Sequence, residues 1–191
     1  MMKLVSLLIL TGSLLLLQAC TESGRSEAEA AEQAAVLARL DALEAESEIR
    51  HKLQTYMAVL SASDWDTYIN YFTRDAKLIM TEGTRTGRDD IKERMSTAGA
   101  RLAAAAAARP ARKRADLLSN VEVEVTGSTA RAQSRFTFIS ETADGGFEVA
   151  GSGLYIDEWA LEEGEWRISS RTVDYDMLRT APAPAPAPAE Q

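Results

Sequence analysis

The chain has 191 residues, of which 46% are hydrophobic, 26% charged and 6% aromatic, a composition that excludes a wholly disordered, collagenous or repeat-only protein and fits one principal domain. Acidic residues outnumber basic ones, 29 to 21, and the formal net charge of -8 argues against nucleic acid as a partner, because displacing phosphate counterions needs a basic footprint. One cysteine permits no internal disulfide and one histidine, His51, no multi-histidine metal site, so neither a metal nor another cofactor is expected.

Lys3 precedes the apolar run Leu4 to Leu17, broken only by Ser6, Thr11, Gly12 and Ser13. A charged start followed by an apolar stretch too short for a bilayer span is the pattern of an export signal. The run ends in Leu17-Gln18-Ala19-Cys20, which resembles the lipobox of bacterial lipoproteins, with Gln18 where a small residue is usual. The resemblance implies cleavage after residue 19 and lipidation of Cys20, whose acyl chains would anchor the protein to a membrane. The expected location is the bacterial envelope, facing the periplasm. Thr21 is not the Asp that retains lipoproteins in some inner membranes, so the outer membrane is favoured. The expected organisation is a signal peptide (1–19), a tether and helical stalk (20–46), a folded domain (47–178) and a tail (179–191).

From Glu27 to Ser47 the chain is rich in Ala, Glu, Leu and Gln without Gly or Pro, and Val36, Leu40 and Leu43 fall four and three apart on one face, which predicts a helix. Ile49, Leu53, Tyr56, Met57 and Leu60 continue at helical spacing, with a break or change of face expected near Ser47. The earlier half reads either as a stalk or as a segment that pairs two chains. Ser63-Asp64-Trp65-Asp66 places a capping side chain ahead of Trp65, Tyr68, Ile69 and Phe72, predicting a short second helix. Ala76 to Thr81 reads as a strand, Gly83 and Gly87 bracket a tight return, and Asp89 and Asp90 suit the start of a third helix that must end by Pro110.

Past Pro110 the period changes from helical to alternating. Val121, Val123 and Val125 alternate with glutamates, Thr126-Gly127-Ser128 is a turn, and Ala130 to Ser140 is a long strand. Asp144-Gly145-Gly146 is a hairpin signal, and Phe147 to Leu161 and Trp166 to Tyr175 are two further strands around Glu163-Gly164. The fold class is therefore α+β, with antiparallel strands following helices. Ala181 to Ala189 alternates Ala with Pro and predicts an extended, disordered spacer.

This order of elements resembles the nuclear transport factor 2-like cone, and the local wording resembles its SnoaL-like branch. The residues that carry the likeness are Glu48-Ile49-Arg50 with Tyr56, Asp64-Trp65-Asp66, Phe72 with Asp75-Ala76, and Gly87-Arg88 with Ile91. Asn120-Val121, Ala130, Gly153 with Tyr155, and Trp166-Arg167 through Arg171 complete it over roughly residues 47–177. The resemblance implies a curved sheet wrapped around the helices, a pocket inside the cone and dimers through the sheet. A homodimer through the outer face is the expectation, since the helices can cover only one face of strands bearing Phe136, Phe138, Leu154 and Ile156.

Family members that eliminate water or halide pair an Asp with a His and use an Arg on the last strand. By that resemblance the Asp matches Asp64 and the Arg matches Arg171, while the His position falls on Asp116. Two close carboxylates would share a proton instead of forming such a dyad. In the ketosteroid-isomerase-like pattern the oxyanion-binding Tyr matches Tyr56, but the proton-shuttling Asp matches Met80, which cannot take a proton from carbon. The candidate catalytic set is thus Asp64, Asp116 and Arg171, with Tyr56, Met80 and Tyr155 as pocket residues. Asp64 has a competing reading as a helix cap, and His51 reads as solvated.

Arg101, Arg109, Arg112, Lys113 and Arg114 cluster cations in an acidic chain. They suit a solvated loop, anionic lipid head groups or an anionic ligand. The leading expectation is a non-catalytic cone that binds a small apolar molecule. A lyase or isomerase using Asp64 as base with Arg171, and an envelope protein-interaction module, are the alternatives.

Overall fold

The computed structural model describes residues 8–107, 113–142 and 144–178, with side chains described for 27–100, 113–142 and 144–177. The start of the export-signal reading and the Ala/Pro tail lie outside the described residues, as do the side chain of Cys20 and those of Arg101, Arg109 and Arg112.

Helix α1 spans Leu8–Ala62 and passes through Ser47 without the expected break, since nothing from Glu27 to Ser61 removes a backbone donor or breaks helical propensity. Among the described residues no helix is long and apolar enough to cross a membrane. The chain divides into two units, Met1–Glu44 and Ala45–Gln191. In the first, Val36, Leu37, Leu40 and Leu43 are exposed.

In the second unit, Ile49, Leu53, Tyr56 and Met57 turn one face of α1 into the core. Ser63 turns the chain with φ 56°, and Asp64 caps α2 (Trp65–Tyr68) by accepting from the Thr67 amide. A 3-10 turn, Ile69–Tyr71, leads into β1 (Phe72–Met80), β2 (Gly83–Thr86) and α3 (Arg88–Ala107). The tight return expected between Gly83 and Gly87 contains a short strand, β2, paired with β1. Four long strands follow: β3 (Arg114–Thr126), β4 (Thr129–Glu141), β5 (Phe147–Glu162) and β6 (Glu165–Leu178).

The six strands form one sheet in the order β2-β1-β6-β5-β4-β3. All pairs are antiparallel except β1 with β6, which run parallel. This departs from the all-antiparallel expectation, because hairpin reading sees only sequential neighbours and β1 meets its partner about ninety residues later. Register shifts at Ser119/Glu122, Phe138/Ile139, Ser152/Gly153 and Glu158/Trp159 increase twist and bend the sheet. At Gly153 a Cβ would lie 2.1 Å from the Asp174 carbonyl oxygen and 2.8 Å from Phe136 Cζ, so only glycine lets β6 and the Phe136 ring approach so closely.

Arg88 fixes the start of α3 to the sheet: Nε and Nη2 donate to the Phe72 carbonyl at 2.8 and 2.6 Å, and Nη2 also reaches Glu162 at 3.0 Å. The inner face of the sheet holds the aromatic core together with Ile49, Leu53, Tyr56 and Met57 of α1, and the other face carries exposed residues such as Ile156.

Candidate functional site

Alternation along β4, β5 and β6 sends Ser134, Phe136, Tyr155, Asp157, Trp159, Arg171 and Val173 to the inner face, where all are buried. Arg171 is wholly buried and donates from Nε and Nη2 to the two oxygens of Asp157, at 2.7 and 2.6 Å. The two residues are direct cross-strand partners, so the sheet register itself sets this fork-to-fork pair. The rings of Tyr56 and Tyr155 lie 4.3 and 4.2 Å from the guanidinium carbon, supplying cation–π attraction. Burial opposes the charge on Arg171, but Asp157 and the tyrosines more than offset it and hold the group protonated.

Tyr56 donates to the Tyr68 hydroxyl at 3.0 Å. Burial pushes the Tyr56 hydroxyl above its usual pKa of 10.0, against the pull of Arg171, and raises Tyr68 and Tyr155 further. These phenols stay neutral at physiological pH. Phe136 stacks on Tyr155 with centroids 4.5 Å apart and meets Phe138 and Tyr175 at 5.0 and 5.4 Å. Met80, Met95, Leu118, Phe138 and Tyr175 pack against this core half-buried, forming an apolar rim.

Bidentate pairing through Nε and Nη2 turns Nη1 of Arg171 away from Asp157. Nη1, Ser134 Oγ and Trp159 Nε1 are buried without a hydrogen-bond partner among the described residues. Native interiors seldom leave such groups unpaired.

Neither proposed carboxylate contacts Arg171: Asp64 is a surface cap, and Asp116, its side chain buried, lies across from Phe138. Asp64 is exposed at the α2 cap. Hydrogen bonding from Thr67, through its hydroxyl first and then its amide, holds the Asp64 carboxyl below its usual 3.8. Asp116 accepts from Ser61 Oγ at 2.6 Å and pairs with Arg114 Nε at 2.6 Å. Neither residue has a hydrogen bond or ion pair to Arg171, nor to the other. The structure therefore brings together Arg171, Tyr56 and Tyr155, sets Met80 at the rim, and leaves Asp64 and Asp116 apart. His51 is exposed on α1. Sequence reading passed over Asp157 and Ser134. The available signal was an Asp between Tyr155 and Trp159 on the apolar side of an alternating strand, where a charge demands a partner.

Two hollows are present among the described residues. One of about 460 Å³ is lined by residues including Glu124, Arg131, Glu158 and the buried Trp159, and one of about 480 Å³, on the outer face, by Lys77, Ile79, Ile156 and Thr172 among others.

A match to the SnoaL-like domain family spans residues 41–172, more than half the chain. The protein belongs to the SnoaL-like family. Solved structures of similar fold include a protein of unknown function from Mycobacterium tuberculosis, 25% identical with TM-score 0.57 over 75% of this chain and 78% of that one. An NTF2-like protein with a cystatin-like fold from Novosphingobium aromaticivorans is 21% identical, with TM-score 0.64 over 74% and 88%. A candidate scytalone dehydratase from the same organism is 18% identical, with TM-score 0.58 over 78% and 97%. No curated protein is similar enough to match. These likenesses establish the SnoaL-like, NTF2-like α+β fold with its curved six-stranded sheet.

Proposed function

We propose that this SnoaL-like protein is a lipid-anchored component of the bacterial envelope whose cone binds a small, largely apolar molecule without transforming it. Arg171 carries the binding reading: two of its nitrogens are held by Asp157, and the third is buried without a hydrogen bond of good geometry among the described residues. Leaving such a donor bare costs on the order of 1–3 kcal/mol, which an acceptor oxygen would remove. The half-buried rim of Met80, Met95, Leu118, Phe138 and Tyr175 suits entry of an apolar body, and thioether side chains adapt their packing readily.

Catalysis by the dehydratase-like route would require Asp64 to reach the interior, and its exposed capping role argues against that. The anchor rests on Cys20 and the lipobox-like run before it. A second reading, an interaction module or homodimer, draws on the outer face, where Ile156 is 44% exposed beside a hollow of about 480 Å³.

Native mass spectrometry of the full chain, expressed in a bacterium and released from its membranes by detergent, tests the main reading. The expected spectrum shows a bound small molecule that leaves on denaturation and is recovered chemically unchanged. Protein that always emerges bare contradicts it. In the same preparation Cys20→Ser should leave the membrane fraction, and its retention there would overturn the anchoring proposal.

A further inference from the structure

We propose that the segment of α1 ahead of the domain pairs, parallel and in register, with the same segment of a second copy while both chains are held on one membrane. This goes beyond the binding reading and rests only on the anchoring one. Val36, Leu40 and Leu43 follow one another at spacings of four and three, and with Leu37 beside them they are 61, 49, 54 and 52% exposed. No other eight consecutive described residues expose as many large apolar side chains. Single exposed apolar residues are ordinary, but a contiguous set marks a surface that meets something else.

Charge identifies the occupant. Spacings of four and three are those of a coiled-coil seam, with Val36 and Leu43 at d positions and Leu40 at a. Gln33 and Ser47 hold the next seam positions on either side, so polar residues bracket the apolar part, and such residues fix register. On this frame Arg39 takes a g position and Glu44 the e position that follows it. Both are exposed, and among the described residues neither side chain has an ion pair or hydrogen bond within its own chain. A parallel, in-register pair sets g of one helix beside the following e of the other. Arg39 of each copy then meets Glu44 of the other, twice by symmetry.

A membrane surface fits the same stripe poorly. Between Glu27 and Glu44 the carboxylates are Glu27, Glu29, Glu32, Asp41 and Glu44, and Arg39 is the lone cation. Helices that lie on anionic head groups carry Lys and Arg on their polar face, and an acidic one is repelled.

The length of the seam sets the condition. Its apolar part covers about two heptads, short of the three or four that sustain a coiled coil. Two chains anchored through Cys20 in one membrane approach from the same end, which favours the parallel arrangement, and tethering raises their effective concentration. Pairing of the stalks therefore holds at the membrane and is lost when detergent disperses the chains.

The test is disulfide trapping in membranes of bacteria that express the full chain with Val36→Cys, oxidised mildly and resolved on non-reducing gels. Linked pairs should be several-fold more abundant than for Ala38→Cys, an exposed position about 200° round the helix from Val36. Adding Arg39→Glu to the Val36→Cys chain should lower the yield several-fold, and adding Glu44→Arg as well should restore it, a rescue that chance collision would not give. Dispersal in detergent at micromolar concentration before oxidation should also lower it several-fold. Equal yields at the two positions, no linked pair at Val36→Cys, or a yield indifferent to the charge changes or to dispersal would overturn the proposal and leave the anchor standing. Chains recovered in the soluble fraction, or a parent chain linked through a free Cys20 thiol, would defeat the anchoring reading and the proposal with it.

Discussion

Asp157 grips Arg171 through both carboxylate oxygens, at 2.7 and 2.6 Å, where neither side chain has any exposure. Breaking a buried pair strands one charge, so Asp157→Ala should destabilise the domain by about 3–5 kcal/mol. Replacing both residues with Asp157→Leu and Arg171→Met should restore most of that loss, because well-packed apolar residues often equal a buried ion pair. The double variant should nonetheless lose its bound molecule. Chemical denaturation of the three proteins checks the first two statements and native mass spectrometry the third.

At the α2 cap, Asp64 should titrate below the usual 3.8, because Thr67 hydrogen-bonds its charged form. A depressed folded-state pKa means that this cap stabilises the domain above the unfolded value and that the contribution fades as pH falls through the folded one. Carboxyl-detected NMR titration should show the low value, and Asp64→Asn should melt close to the parent while Asp64→Ala melts lower. Neither change should alter ligand binding.

Buried tyrosines give the opposite sign. Burial raises Tyr56, Tyr68 and Tyr155 above 10.0, so their packing stabilises fully below the unfolded pKa and is lost as pH rises toward the folded values. Stability should hold to about pH 10 and fall beyond it. Phenolate absorbance at 295 nm should rise for these residues together with unfolding and not before it, as followed by circular dichroism.

On the outer face, Ile156 sits 44% exposed with Thr172 and Ile79 along one cross-strand row. If that face joins two copies, the detergent-solubilised full chain should sediment as a dimer and Ile156→Glu should sediment as a monomer with unchanged melting. A monomeric parent would remove the dimer from the account.

Periodicity made most of the fold readable: the core face of α1, the Asp64 cap, the third helix and the four long strands follow from spacing and turn residues. It did not reveal β2, which has only four residues, nor the parallel pairing of β1 with β6, which is fixed by distant contacts. Within the site, Arg171 was found by resemblance, and Tyr56 and Tyr155 join it because register and helix face bring them there. Asp157 escaped notice because a lone Asp in a strand is usually read as solvent-facing, although alternation with Tyr155 and Trp159 puts it on the buried side, and Ser134 because a small polar residue among apolar ones carries little signal. Asp116 met Ser61 and Arg114 instead of Asp64, a matter of tertiary placement that spacing along the chain does not encode.

A crystal structure of the membrane-released protein, at a resolution that shows ordered solvent, tests the central claim most directly. The account predicts an oxygen, from a bound molecule or from water holding its place, about 2.9 Å from Arg171 Nη1 on the side away from Asp157. A cone packed solid around an Nη1 with no acceptor would contradict it.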